Sequence, residues 1–226
     1  MPPAKTEPLS IVVEGNVRVS GLLQMPQQPR AAYILAHGAG AGMRHSFMAA
    51  VADGFAERGI ATLRYQFPYM ELGQKRPDPP KVAHATVRAA VAEAQRRWPT
   101  LQLIAGGKSF GGRMTSQAQA MGALPGVQGL AFLGFPLHPA KQPSRERALH
   151  LFEITIPMLF LQGSRDALAY PDQIEPLCRD LGHHATLRLF ADADHSFHVP
   201  ARTGKSDGAI LSEVLGAFAA WLDTVG

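Results

Sequence analysis

Apolar residues follow two alternating patterns along this chain. Short runs that are almost wholly apolar alternate with longer segments in which apolar residues recur at helical spacing. The short runs predict buried strands, and the longer segments predict helices with one face in the core. The predicted strands cover residues 32–36, 60–65, 101–105, 127–134, 158–162 and 185–190. The predicted helices cover residues 47–58, 81–98, 110–121, 171–181 and 209–225.

The first part of the chain has a different pattern. Residues 10–13 and 17–23, joined through Glu14-Gly15-Asn16, predict an antiparallel hairpin. The alternation that follows predicts a mostly parallel sheet with helices on both faces. A length of 226 residues suits one α/β domain covering residues 1–226. Ligand sites in such sheets lie beyond the carboxyl ends of the strands, so the residues after each strand are the candidates for chemistry.

The segment Gly107-Lys108-Ser109-Phe110-Gly111 is the strongest of these candidates. It lies between a predicted strand, residues 101–105, and the predicted helix at residues 110–121. A serine on such an abrupt turn is typical of a nucleophile whose hydroxyl is exposed above the sheet. We expect a strained serine backbone. We also expect glycine on either side, because the strand and the helix pass too close for a Cβ.

A serine hydroxyl is a weak nucleophile at neutral pH and needs a general base, which in turn needs an orienting carboxylate. Asp166 follows the strand predicted at residues 158–162. His195 follows the strand predicted at residues 185–190, after an acidic turn. The alternatives are His198 as the base and Asp192 or Asp194 as the carboxylate. Aspartates beside a turn commonly form the turn itself, which favours Asp166.

Three short segments resemble a known family. They are His-Gly-Ala-Gly-Ala-Gly at residues 37–42, Gly-Lys-Ser-Phe-Gly-Gly at residues 107–112 and Asp-His-Ser-Phe at residues 194–197. The chain resembles the α/β-hydrolases over nearly its whole length, and in particular a lidless bacterial group related to dienelactone-hydrolase-like enzymes. That group also resembles the hydrolase-like domain of a eukaryotic chromatin-complex subunit. Dienelactone hydrolases proper use a cysteine nucleophile, whereas this chain has Ser109.

The resemblance implies an α/β-hydrolase fold and a role for each candidate. Ser109 is then the nucleophile, His195 the base and Asp166 the orienting acid. The oxyanion hole consists of the backbone amides of Phe110 and Ala39, with Gly40 as the alternative to Ala39. His37 is expected to hold this loop in place without touching the substrate.

The predicted function is a serine hydrolase that cleaves a small carboxylic ester, lactone or thioester through an acyl-enzyme, without a metal or cofactor. Phe67, Tyr69 and Met43 are weaker candidates for substrate contacts, because they follow strands or border the proposed oxyanion loop. Lipases insert a cap where this chain has only residues 135–156, which leave room for a loop and one short helix. The alternatives are an interaction module with an idle site, or an acyltransferase or peptidase using the same residues.

Composition excludes several other classes. Net charge is +4 with scattered Lys and Arg, so no nucleic-acid surface is expected. The single cysteine, Cys178, lies in a predicted helix and is expected to be a small buried side chain. No apolar stretch is long enough to span a bilayer, and the first residues lack the apolar core of a signal peptide. A cytoplasmic monomer or homodimer is therefore expected.

Two nucleotide-binding motifs are incomplete in this chain. Gly107-Lys108-Ser109 matches the end of a phosphate-binding loop, but the glycine required earlier in that motif is replaced by Gln102. Residues 38–42 match the start of a dinucleotide fingerprint, but its third glycine would fall at Met43 or His45. Both motifs therefore argue against a nucleotide ligand.

Overall fold

The structure is a computed structural model that describes residues 5–225. The strands are β1 (Thr6–Val12), β2 (Arg18–Gln24), β3 (Ala31–Ala36), β4 (Ile60–Tyr65), β5 (Gln102–Lys108), β6 (Val127–Leu133), β7 (Met158–Gly163) and β8 (Ala185–Phe190). They form one 8-stranded sheet in the order β1-β2-β4-β3-β5-β6-β7-β8. β2 pairs antiparallel with β1 and β4, and all other pairs are parallel. The predicted mostly parallel sheet with an antiparallel hairpin is confirmed.

Helices cover both faces of this sheet. They are α1 (Ser46–Ala56), α2 (Pro68–Glu71), α3 (Pro80–Arg97), α4 (Phe110–Met121), α5 (Pro171–Asp180) and α6 (Asp207–Leu222). One apolar core contains buried residues of α1 and α6, and the other contains those of α3, α4 and α5. Within residues 5–225, no helix is both long and apolar enough to cross a bilayer.

Strand β3 shows how one short apolar run serves both cores. Ala32 and Ile34 belong to the core under α3 and α4, whereas Tyr33 and Leu35 belong to the core under α1 and α6. Successive side chains of a strand point to opposite faces, so a strand covered on both faces must be apolar throughout. Burying each large aliphatic side chain contributes about 1.5–3 kcal/mol, which explains the lack of polar alternation in this run.

The connections after β4 and after β6 contain short helices. The short helix α2 was not predicted; it begins at Pro68, whose fixed φ suits the first turn of a helix. Between β6 and β7 the chain forms loops and one 3-10 helix, Glu146–Glu153, and no separate cap domain lies in the described part of the chain. After β4 and β6 the chain therefore forms only loops and short helices before the next long element.

Candidate active site

The turn between β5 and α4 has a backbone conformation that few residues adopt. Ser109 has φ 51° and ψ −114°, and it is one of four non-glycine residues with positive φ in the described chain. Its backbone N–H donates to the carbonyl of Leu133 on β6 over 3.2 Å. Such a conformation costs on the order of 1–3 kcal/mol and persists only where surrounding contacts enforce it. The predicted strain is therefore present at the serine.

The glycines beside Ser109 are required by close backbone contacts. A Cβ at Gly107 would lie 2.3 Å from the carbonyl oxygen of Ala36, and one at Gly111 would lie 2.5 Å from that of His37. Both distances are far below van der Waals contact. The predicted crowding is present, and at these two glycines the atoms nearest to an added Cβ belong to Ala36 and His37 at the end of β3, which the prediction did not name. The strand and the helix also approach closely, because a Cβ at Gly112 would lie 2.9 Å from the carbonyl oxygen of Gly107.

Ser109, His195 and Asp166 are joined by two hydrogen bonds. The Ser109 hydroxyl lies 2.9 Å from Nε2 of His195. Nδ1 of the same imidazole lies 2.6 Å from Oδ2 of Asp166. The three residues come from the ends of β5, β8 and β7, so the parallel sheet brings them together across 86 and 29 positions of sequence. The arrangement can pass a proton from the hydroxyl to the imidazole while the carboxylate holds the ring.

The Asp166 carboxylate is fully buried and accepts three hydrogen bonds. Besides His195, the Gln162 side chain donates to Oδ2, and the Leu168 backbone N–H donates to Oδ1 over 2.8 Å. Gln162 is held in turn by Phe135, whose N–H donates to its Oε1 over 2.9 Å. A buried carboxylate needs such donors to offset the loss of its hydration. Gln162 was not identified from the sequence, because an amide within an apolar strand gives no indication that it will contact a loop 27 positions away.

The rival carboxylates contact other groups. Asp194 accepts from the backbone N–H groups of Ser196 and His198 and so forms the turn that carries His195. Asp192 lies 3.3 Å from the Arg202 guanidinium. The rival base also faces away: His198 is paired with Asp207, whose carboxylate raises the pKa of that imidazole.

The loop after β3 lies beside the serine. A Cβ at Gly38 would be 3.9 Å from the Cβ of Ser109, so the backbone of this loop approaches the turn closely. Ala39 is partly buried and Gly40 is exposed. Phe110 is the first residue of α4, and its N–H is one of the donors that a helix leaves without an intrahelical partner. The proposed donors therefore belong to two segments that meet at Ser109.

His37 and Tyr69 hold this loop from below. His37 is fully buried, and burial lowers the pKa of its imidazole to about 4, so the ring is neutral. Its Nδ1 donates to the Gly38 carbonyl over 2.8 Å, and its Nε2 accepts from the Phe67 N–H over 3.1 Å. The Tyr69 hydroxyl donates to the Ala39 carbonyl over 2.8 Å. The expectation that His37 supports the loop agrees with these contacts.

The placement of Phe67, Tyr69 and Met43 does not agree with their predicted substrate contacts. Phe67 and Tyr69 have 0% of their surface exposed, and Met43 has 2%. The two aromatic rings pack beneath the loop and against Phe110, with ring centroids 5.3 and 6.4 Å from that of Phe110. Aromatic residues that follow a strand can line a pocket or fill a core, and here they fill the core.

A further expectation concerns Cys178, which lies outside this cluster. Cys178 is buried, and burial raises the pKa of its thiol to about 12, so it is an unreactive packing residue. Across residues 5–225, no group of three or more His, Cys, Asp or Glu side chains is arranged to hold a metal ion.

Comparison with known proteins defines the class of the molecule. Residues 29–223 match the family described as alpha/beta hydrolase domain, so the chain belongs to that family. The predicted family and fold are confirmed, and the prediction of a hydrolase agrees with them. The relation to a chromatin-complex subunit stays a prediction.

Solved structures of low sequence identity share the fold. An a/b serine hydrolase without lid from Xanthomonas campestris is 20% identical, with a TM-score of 0.72 over 96% of each chain. A dienelactone hydrolase from Anabaena variabilis is 20% identical, with a TM-score of 0.77 over 99% of each chain. An esterase from Pyrococcus furiosus is 16% identical, with a TM-score of 0.71 over 98% of this chain and 92% of that one.

Proposed function

We propose that this protein is a serine hydrolase that cleaves a small carboxylic ester, lactone or thioester through an acyl-enzyme. One observation carries the proposal. A serine with φ 51° at a strand-to-helix turn is hydrogen-bonded to a histidine that is itself hydrogen-bonded to a fully buried aspartate. Strained backbone and a buried charge both cost free energy, and a purely structural serine needs neither.

In the acylation step, Ser109 Oγ attacks the carbonyl carbon of the substrate, and Nε2 of His195 takes the hydroxyl proton. The carbonyl π bond opens, and the oxygen becomes an oxyanion. When the tetrahedral intermediate collapses, the alkoxide or thiolate leaves with the proton returned by His195. Asp166 keeps the other ring proton on Nδ1, so that Nε2 is free to act as the base.

The oxyanion is stabilised by backbone donors. The N–H groups of Phe110 and Ala39 are the candidates, with Gly40 as the alternative to Ala39, and each donor lowers the barrier by roughly 3 kcal/mol. Two hydrogen bonds to this loop support the assignment. His37 binds the Gly38 carbonyl, which shares a peptide group with the Ala39 N–H, and Tyr69 binds the Ala39 carbonyl, which shares one with the Gly40 N–H. In the deacylation step, His195 activates a water, which releases the acid and restores Ser109.

The choice of a small substrate rests on the surroundings of Ser109. Lipid-sized acyl chains need an apolar wall, because each buried methylene contributes about 0.8 kcal/mol only when it leaves water. Residues 134–157 supply loops and a 3-10 helix in place of a cap. Two of the structural neighbours are named as a dienelactone hydrolase and an esterase, and a lactone or ester substrate for this chain agrees with those names.

A fluorophosphonate probe tests the nucleophile directly. We expect one covalent adduct on the intact protein, located at Ser109 by peptide mass spectrometry and absent in Ser109→Ala. Ser116→Ala is the matched control, because the Ser116 hydroxyl also contacts a histidine, Nε2 of His150 at 2.7 Å, but is fully buried. Ser116→Ala should label at the rate of the unmodified protein. Equal labelling of Ser109→Ala would refute the assignment.

A substrate panel separates the remaining reactions on this site. Release of p-nitrophenol from short esters, with water as the acceptor, supports hydrolysis. Faster release on addition of an alcohol or amine, with transfer of the acyl group to it, would indicate an acyltransferase. Cleavage of p-nitroanilides at a comparable rate would indicate a peptidase. Labelling without turnover of any ester, lactone or thioester would favour the idle interaction module.

A further inference from the structure

We propose that Lys108 is a positioning residue for the base. Its amine holds His195 in place through a hydrogen bond to the backbone carbonyl of His195. The inference rests on the proposed function, because it matters only if His195 takes the proton of Ser109. Lys108 is adjacent to the serine in sequence, so a single side chain ties the base to the strand that carries the nucleophile.

The contact that supports this role is direct. The Lys108 amine, at the end of β5, donates a hydrogen bond to the backbone oxygen of His195. The imidazole of the same residue reaches back to Ser109, the next residue of the chain. Lys108, Ser109 and His195 therefore form a closed ring of covalent and hydrogen bonds, in which the distance from base to nucleophile depends on the lysine. A displacement of about 1 Å in such a pair can cost roughly 100-fold in rate.

The surroundings of the amine are unusual for a lysine. Its nitrogen lies 6.0 Å from the ring centroid of Phe47 and 5.7 Å from that of Phe197, and these two rings are stacked. A Cβ on Gly134 would lie 2.9 Å from this nitrogen and 3.3 Å from Nδ1 of His195. The amine and the imidazole thus approach the same point beside Gly134, which has no side chain to occupy it.

The same surroundings lower the pKa of the amine. Burial lowers the pKa of Lys108 to about 8, although the carboxylates of Asp166 and Asp194 oppose that change. No carboxylate in the described chain forms an ion pair with it. An apolar side chain would fill this space at lower cost but could not donate to His195, so the hydrogen bond is what the lysine adds, and it is strongest while the amine is protonated.

This environment makes the lysine detectable in a pH profile. A protonated amine is a stronger donor than a neutral one, so kcat should decline several-fold as pH rises through about 8, with KM little changed. The titratable groups that face Lys108 are Asp166, Asp194 and His195. A fall in kcat near pH 8 that disappears when Lys108 is replaced would report on the amine.

Stability should change in the opposite direction over the same interval. The pKa of Lys108 is lower in the folded protein than in the unfolded chain, where it is about 10.4. Between pH 8 and that value the unfolded chain binds more protons, so this group increases the free energy of unfolding as pH rises. Titration of the lysine should therefore not lower the Tm in thermal melts over this range. A fall in kcat without a fall in Tm cannot then be caused by unfolding.

The experiment compares three variants by kcat and KM for p-nitrophenyl acetate from pH 6.5 to 10, with fluorophosphonate labelling of each. Lys108→Met should lower kcat by about 10- to 100-fold and remove the decline above pH 8. Lys108→Arg stays charged throughout, so it should keep more activity than the methionine variant and show no decline up to pH 10. Lys81→Met, an exposed lysine at the start of α3, is the control and should match the unmodified protein.

Each result decides the inference. A Lys108→Met protein with an unchanged kcat and an unchanged alkaline decline would overturn it, and so would a lower kcat with the decline still in place. If Lys108→Met does not fold, Lys108→Arg decides alone: loss of the decline up to pH 10 supports the role, and an unchanged decline near pH 8 rejects it. Failure of the unmodified protein to label or turn over esters would instead refute the proposed function.

Discussion

Replacing Asp166 by asparagine tests the proposed site most sharply, because the structure limits how the new amide can fit. The carboxylate accepts from Leu168 on one oxygen and from both His195 and Gln162 on the other. Asparagine offers one acceptor and one NH2 group, so it cannot accept all three hydrogen bonds. Gln162 cannot rotate its own amide to compensate without losing its bond from the Phe135 N–H.

Both orientations of the asparagine impair the base. With its NH2 toward His195, the amide requires a lone pair on Nδ1, so the ring proton moves to Nε2, which then cannot accept from Ser109. With its NH2 toward Leu168, it opposes a backbone N–H and displaces the loop. In either case the charge that stabilises the imidazolium is lost. We expect kcat to fall by about 10²- to 10⁴-fold, or about 3–5 kcal/mol in the activation barrier.

The assay is kcat for p-nitrophenyl acetate at pH 7.5, with circular dichroism and thermal melts to confirm folding. Asp192→Asn and Asp194→Asn are the matched controls. Asparagine at 194 keeps the side-chain oxygen that caps the turn, and Asp192 contacts only partly exposed groups. Both controls should stay within a few-fold of the unmodified protein. A loss at position 194 equal to or larger than that at 166 would refute the reasoning and assign the orienting acid to the turn before His195.

Three other predictions follow from the same geometry. Ser109→Ala, His195→Ala and the double variant should each lose about 10⁴-fold or more in kcat, because groups that act as a unit are not additive, whereas a further large loss in the double variant would contradict this. kcat/KM for p-nitrophenyl esters should peak at roughly two to six acyl carbons without interfacial activation, because residues 134–157 form no cap; a steady rise to longer chains would show a cover. Tyr69→Phe should reduce kcat by about tenfold with little change in Tm, because it frees the Ala39 carbonyl; unchanged kcat would separate this loop from catalysis.

The location of the serine and the order of the layers could be read from the sequence because both depend on local patterns. A run such as β3 must be apolar on both faces to lie inside a covered sheet. The strand, turn and helix around Ser109 are contiguous, and flanking glycines are needed wherever such a turn meets a neighbouring strand. The expectation did not include the contact with β3, because nothing in a local segment specifies which other strand packs against it.

The partners of Ser109 required more than local pattern. His195 and Asp166 could be named because parallel strands end at the same edge of the sheet, which places their following residues together. The choice among Asp166, Asp192 and Asp194 depended on which carboxylate faces the imidazole, and that follows from the path of each turn. Only Asp166 makes that contact among the three.

The sequence by itself therefore determined the fold class, the strained serine and a short set of candidate partners. Tertiary structure decided the buried roles of Phe67 and Tyr69, and the contacts of Gln162 and Lys108. An aromatic residue after a strand has the same sequence signature in a pocket and in a core. Gln162 accepts from Phe135, 27 positions away, and Lys108 donates to His195, 87 positions away. These contacts join chain segments that meet only when the sheet has formed.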